Sequence, residues 1–257
     1  MTLQEQTATS DFFVPVLLAW TSVLGGLEIA RRLRPAVWPA ALPPRSERRW
    51  LDLGIALGVG FAIVGTGQLW HAGVLRWRWP GAWDHAAYVL AQLLVWAPMP
   101  LAMWLRRQTA ASAWTGTRHL PTRIAAGLVL GAVAVTVHLA LRGDLPRWPT
   151  IVAKATTLRS LAHAAPVYLE GVGLAFLFVR LQWAFGRWLA ALVPALLFAA
   201  AHVPRGLADG EAPATIAAFF VFNTAFVTAL LLVLNRHRDV VALGVAHWLM
   251  DLATDAF

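Results

Sequence analysis

The chain has 257 residues, 59% of them hydrophobic and only 13% charged, where a soluble globular domain carries about 25% charged residues. A folded surface needs polar cover, so this composition excludes a soluble enzyme, a disordered chain and a secreted disulfide scaffold, and leaves a polytopic membrane protein. The net charge of +8 comes from arginines set between apolar runs, which reads as loop anchoring rather than nucleic-acid binding, and the absence of cysteine removes thiol nucleophiles and Cys-ligated zinc.

The opening residues MTLQEQTATSD hold no Lys or Arg and lack the basic start of a cleavable signal, so the first span is expected to serve insertion. Eight apolar runs follow, at 12–30, 51–70, 86–105, 124–141, 163–181, 188–203, 214–235 and 239–256. At about 20 residues per span the length has room for roughly seven to nine. Helices are expected, because a backbone in lipid must satisfy its own hydrogen bonds. The runs also lack the apolar/polar alternation of barrel strands. The expectation is an all-α polytopic membrane helical bundle of about eight transmembrane helices, forming a single membrane domain over 1–257 with no internal repeat.

Between the runs, the Pro- and Arg-rich connection 31–50 is expected along the headgroups, and RWRWPGAW at 76–83 reads as an interfacial tryptophan belt. Basic residues divide fourteen to seven between the odd- and even-numbered connections, which places both termini outside the cytoplasm by the positive-inside rule.

Ionisable groups inside spans are costly and mark function by default. Well inside the runs lie Glu28, His138, Glu170, His202, His247 and Asp251, with Asn223 the notable neutral polar residue. Glu28, beside Arg31 and Arg32, reads as an interfacial ion pair, and the lone His138 as a structural, hydrogen-bonded histidine. The other residues share a depth. A tight turn at 185–187 joins the fifth and sixth runs, and Glu170 and His202 each lie 16 residues from Gly186, or about 24 Å at ~1.5 Å per residue. Counted from His237, Asp251 and Asn223 lie at about 21 Å and His247 at about 15 Å. His247 and Asp251 are i,i+4 and share a helix face. Gly171 and Gly173 flank Glu170, and small residues let helices approach closely.

No Ser–Lys pair, no second intramembrane aspartate for Asp251 and no H-E-x-x-H occurs. A glutamate with two histidines suits a water activated by a carboxylate base, with imidazoles polarising the water or the developing oxyanion. It equally suits a His/His/carboxylate metal site with an open position. Hydrolysis of an amide by water is the natural reaction class for either.

These residues resemble the CPBP family of intramembrane proteases, related to CAAX prenyl endopeptidases and to bacteriocin-processing and immunity proteins. The family pattern is EExxxR, then FxxxH, then HxxxN or HxxxD. Here the second motif is Phe198-Ala-Ala-Ala-His202 and the third is His247-Trp-Leu-Met-Asp251. The first departs, as Leu169-Glu170-Gly171 stands for the paired Glu and Ala175 for the Arg. The resemblance covers residues 161–257, expected to be the catalytic core, with 1–160 as divergent N-terminal helices.

The resemblance implies an intramembrane endopeptidase. Glu170, helped by His202, would activate water, while His247 and Asp251 would hold the oxyanion. Asn223 is an additional candidate. No cofactor is firmly implied; if a metal such as zinc is used, Glu170, His202, His247 and Asp251 are its expected ligands. The partners implied are a membrane protein or lipid-anchored peptide as substrate and the membrane lipids, with no nucleic acid. The expected location is the bacterial cytoplasmic (inner) membrane, multi-pass. A non-catalytic membrane binding or immunity-type protein on the same fold is the alternative. The depth and orientation together set the residues in the outer half of a ~30 Å core, which suits an anchor or sorting helix of an exported protein.

Overall fold

The computed structural model describes residues 3–38, 46–75, 77, 79–81 and 83–254, and the side chains of all of these except 3–12 and 71. Arg45, Arg76 and Arg78, counted above among the basic connections, lie outside the described residues, as does the end of the eighth run. Among the described residues there are ten α-helices, nine of which cover the eight apolar runs, while the short helix Trp148–Ala155 lies between the fourth and fifth. Among the described residues six helices are long and apolar enough to cross a membrane, each spanning at least 21 residues. The protein is an integral, multi-pass helical membrane protein.

Two runs differ in detail. The third is a pair, α3 (Trp83–Trp96) and α4 (Pro98–Leu105), bent by 48°. Pro98 and Pro100 bring no N–H to the ladder, and at the break the Ala97 N–H bonds to the Leu94 carbonyl at 3.2 Å, the tighter i−3 pattern. The eighth run is α10 (Val240–Thr254), 15 residues long, or about 22 Å against a ~30 Å core.

The chain divides into two compact units that interleave in sequence. The first comprises 1–40, 116–168 and 239–257. It contains α1 (Leu3–Leu33), α5 (Leu120–Leu141), the short α6 (Trp148–Ala155), the first turns of α7 (Leu158–Phe185), and α10. Its centre is α5, which packs on both α1 and α10. Gly127 and Gly131 open the seam to α10. A Cβ on Gly127 would lie 2.6 Å from the Ala242 carbonyl oxygen and 2.7 Å from Val245 Cβ. One on Gly131 would lie 2.7 Å from Leu249 Cδ1 and 3.0 Å from Ala246 Cα. This G-x-x-x-G spacing is a close-approach device of membrane helices.

A buried ion pair fixes where α10 begins. Asp239 and Arg123 are both fully buried, and the guanidinium grips the carboxylate with two bonds of 2.8 and 2.7 Å. The same carboxylate accepts the N–H groups of Val241 (2.7 Å) and Ala242 (3.3 Å), capping the helix.

The second unit comprises 41–115 and 169–238. It contains α2 (Arg49–His71), α3, α4, the rest of α7, α8 (Arg187–Ala208) and α9 (Pro213–His237). Gly186, at φ +79°, makes the one-residue turn from α7 into α8, a conformation open to glycine and costly for other residues. Arg180 is wholly buried. Its guanidinium donates to the Ser112 carbonyl (2.6 Å), Ser112 Oγ (2.8 Å) and the Gln108 side chain, and sits over the Phe176 ring. It ties the segment after α4 to α7.

Arg123 and Arg180 are therefore buried helix residues, not the loop anchors they were counted as. The charge bias falls to twelve against seven and keeps its sign. Glu28 does form the expected local ion pairs, to Arg31 at 2.9 Å and Arg32 at 2.8 Å. His138 is buried, but its Nδ1 finds no hydrogen-bond partner among the described residues. Trp77, Trp79 and Trp83 are exposed, as an interfacial belt requires.

Candidate active site

The candidate residues fall in both units, Glu170, His202 and Asn223 in the second and His247 and Asp251 in the first.

In the second unit the three residues sit on α7, α8 and α9. The helices run through from Glu170 to the Gly186 turn and on to His202, so the equal residue counts that set the two at one depth apply to real helices. Glu170 and Asn223 are half-buried and His202 is exposed. One turn beyond Glu170, buried Gly173 admits the Trp96 ring; a Cβ there would meet it at 2.5 Å.

His202 has a defined ring orientation. Its Nδ1 lies 2.8 Å from the carbonyl oxygen of Phe198, one turn earlier, and its ring packs on that of Phe198 at 4.5 Å. A carbonyl only accepts, so Nδ1 carries the hydrogen and Nε2 of the neutral ring carries the lone pair. The F-x-x-x-H spacing thus selects a tautomer. Gln68 of α2 donates to the carbonyl of Ala201, the residue before His202, at 3.3 Å. Sequence reasoning passed over Gln68, although an amide within an apolar run is itself a signal.

In the first unit His247 and Asp251 do come together, with His247 Nε2 3.5 Å from Asp251 Oδ1. Asp251 has a closer neighbour that the sequence reading missed. His163 Nε2 lies 3.2 Å from Asp251 Oδ2. The carboxylate is thus flanked by imidazoles from two helices. Trp20 of α1 meets the His247 ring edge to face, with centroids 5.4 Å apart. His163 is placed by the start of α7. Thr157 Oγ1 accepts the Ser160 N–H at 3.2 Å, and Trp248 Nε1 donates to the Ser160 carbonyl at 2.8 Å, holding α7 to α10 three residues before His163.

Among the described residues no group of three or more His, Asp or Glu side chains is arranged to hold a metal ion. Of the ligand set named from sequence, Glu170 and His202 lie in the second unit and His247 and Asp251 in the first.

The fold and these pairs define a class: a multi-pass helical membrane protein with paired histidine and carboxylate groups within its apolar helices. Residues 155–253 match the family described as type II CAAX prenyl endopeptidase Rce1-like. That segment contains Glu170, His202, Asn223, His247 and Asp251, and its likeness is to the family that the motifs resemble. No curated protein and no solved structure matches the chain.

Proposed function

We propose that the chain is an intramembrane endopeptidase that hydrolyses a peptide bond in a membrane-associated or C-terminally anchored protein. In this reading Glu170 takes a proton from water as the oxygen attacks the scissile carbonyl carbon. His202, with its lone pair on Nε2, is the partner that orients the water. His247, with its Nε2–H held by Asp251, donates to the developing oxyanion from Nδ1 once that nitrogen takes a proton from water, and the Asp251 carboxylate stabilises the imidazolium. The C–N bond then breaks, and the leaving amine takes the proton held by Glu170. The neutral amide of Asn223 is an additional donor. A metal-free hydrolysis is proposed, because the carboxylate and imidazoles supply both base and donor. The depth that Glu170 and His202 share along α7 and α8 supports this substrate class, because an anchor helix reaches that level.

The observation that carries this reading is that both motif histidines have a fixed acceptor beside one ring nitrogen, Phe198 for His202 and Asp251 for His247. Fixed tautomers are what a water-activating and an oxyanion-binding imidazole need. One observation favours the second reading, a non-catalytic binding or immunity-type protein: the first motif keeps a single Glu, and buried Ala175 stands where the family has Arg.

Mapping protein termini in membranes of cells lacking the chain, then complemented with wild type or Glu170→Gln, separates the two. The enzyme reading expects a membrane protein whose length changes on deletion and is restored by wild type alone. Restoration by Glu170→Gln would favour the binding reading.

A further inference from the structure

Asp251 raises a chemical problem. An ionised carboxylate beside the histidine that is to bind an oxyanion would repel that oxyanion, and HxxxN chains avoid the conflict with a neutral amide. The surroundings of Asp251 resolve it. An ionised carboxylate only accepts hydrogen bonds, so both flanking imidazoles present Nε2–H to it. His163 Nε2 to Oδ2 is the shorter contact at 3.2 Å, and His247 Nε2 to Oδ1 is longer at 3.5 Å, near the limit of a hydrogen bond. His247 and Asp251 lie on the same helix, whereas His163 comes from α7, 88 residues earlier. The cross-helix bond therefore anchors one carboxylate oxygen and leaves the other for His247. All three side chains are partly buried, with 17% of His163, 17% of Asp251 and 29% of His247 exposed. In such surroundings a carboxylate without its donors would be costly.

We propose that His163 is a positioning residue: it anchors Asp251 by a hydrogen bond from Nε2, and so sets the ring orientation and tautomer of His247. In this arrangement the Asp251 charge is shared between two N–H donors, one of them on His247. An asparagine could accept through only one oxygen, so His163 and a carboxylate at position 251 form a matched pair. The consequence for turnover rests on the proposed hydrolytic reading; the effect on the His247 ring does not.

The test has a spectroscopic arm and a turnover arm, both on the full chain in lipid nanodiscs. With ¹⁵N-labelled histidine, ring ¹⁵N–¹H spectra report each tautomer. The expected result is an Nε2–H form for His247 in wild type, lost or mixed in His163→Phe and retained in His163→Gln, whose side-chain amide reaches about as far as Nε2. Loss of the His163 Nε2–H signature in Asp251→Ala is also expected. An unchanged His247 spectrum in His163→Phe would overturn the proposal.

In the turnover arm the substrate is membrane-protein extract from cells lacking the chain, read as the rate at which new termini appear. His163→Phe should slow this rate about 10- to 100-fold, the scale of a misplaced catalytic group, and His163→Gln should stay near wild type. Equal loss in the two variants would indicate packing alone and overturn the positioning role. If wild type produces no new termini, the hydrolytic reading fails, and the spectra alone decide whether His163 sets the His247 ring.

Discussion

Asp251 lies between two imidazoles, 3.2 Å from His163 Nε2 and 3.5 Å from His247 Nε2, and at that point a carboxylate and an amide differ in a measurable way. Asn has one accepting oxygen and turns an N–H toward whichever ring the oxygen does not serve. Asp251→Asn should therefore lower peptide cleavage by about 10- to 100-fold with expression unchanged, even though asparagine is a family residue at this position. Wild-type turnover by Asp251→Asn would remove any need for the charge. Half of this pairing was legible beforehand: the i,i+4 spacing of His247 and Asp251 is a helix rule, and the 3.5 Å contact follows it. His163 was not legible. It stands at the first position of an apolar run and looks like a boundary residue, and nothing local shows a partner 88 residues away. The same applies to Arg123 and Asp239, whose 116-residue separation hid a buried bidentate pair behind two charges at run edges.

At the scale of elements, the first unit depends on how closely α10 meets α5. The Ala242 carbonyl oxygen lies within 2.6 Å of where a Gly127 Cβ would be, and backbone cannot swing aside as a side chain can. Gly127→Ala should destabilise the purified protein by about 1–3 kcal/mol, the usual cost of overpacking, read as earlier thermal unfolding in detergent. Asp239→Ala should cost more, about 3–5 kcal/mol, because it strands a buried guanidinium and removes the cap of α10. If Asp239→Ala unfolds no earlier than Gly127→Ala, the ion pair contributes less than its burial implies. The G-x-x-x-G seam was present in the sequence at Gly127 and Gly131, and so were Pro98 and Pro100, which break the third run. The partner of the seam was not, because spacing marks a close-packing face without saying which helix fills it.

At the scale of the molecule, composition and run length were enough to give a multi-pass helical membrane protein. The interleaved units were not readable, because each is assembled from separate stretches of chain and no linker marks the division. Orientation is an expectation from the arginines of the connections, and the corrected bias still predicts a cytoplasmic 31–50 connection. The chain has no cysteine, so Glu47→Cys, at an exposed position, gives a single label site. It should react with a membrane-impermeant reagent only after the cytoplasmic face is opened. Labelling in intact cells would invert the orientation and with it the expectation of an exported substrate.

The proposed hydrolysis is tested most directly by reconstituting wild-type and Glu170→Gln protein in liposomes with the membrane protein that terminal mapping identifies, in ¹⁸O-enriched water. Glutamine keeps the shape of the side chain but cannot take a proton. Wild type is predicted to release a fragment carrying ¹⁸O in its new C-terminal carboxylate, and Glu170→Gln to do so about 10²- to 10⁴-fold more slowly. Equal rates from the two proteins would contradict the assignment of Glu170 as the base.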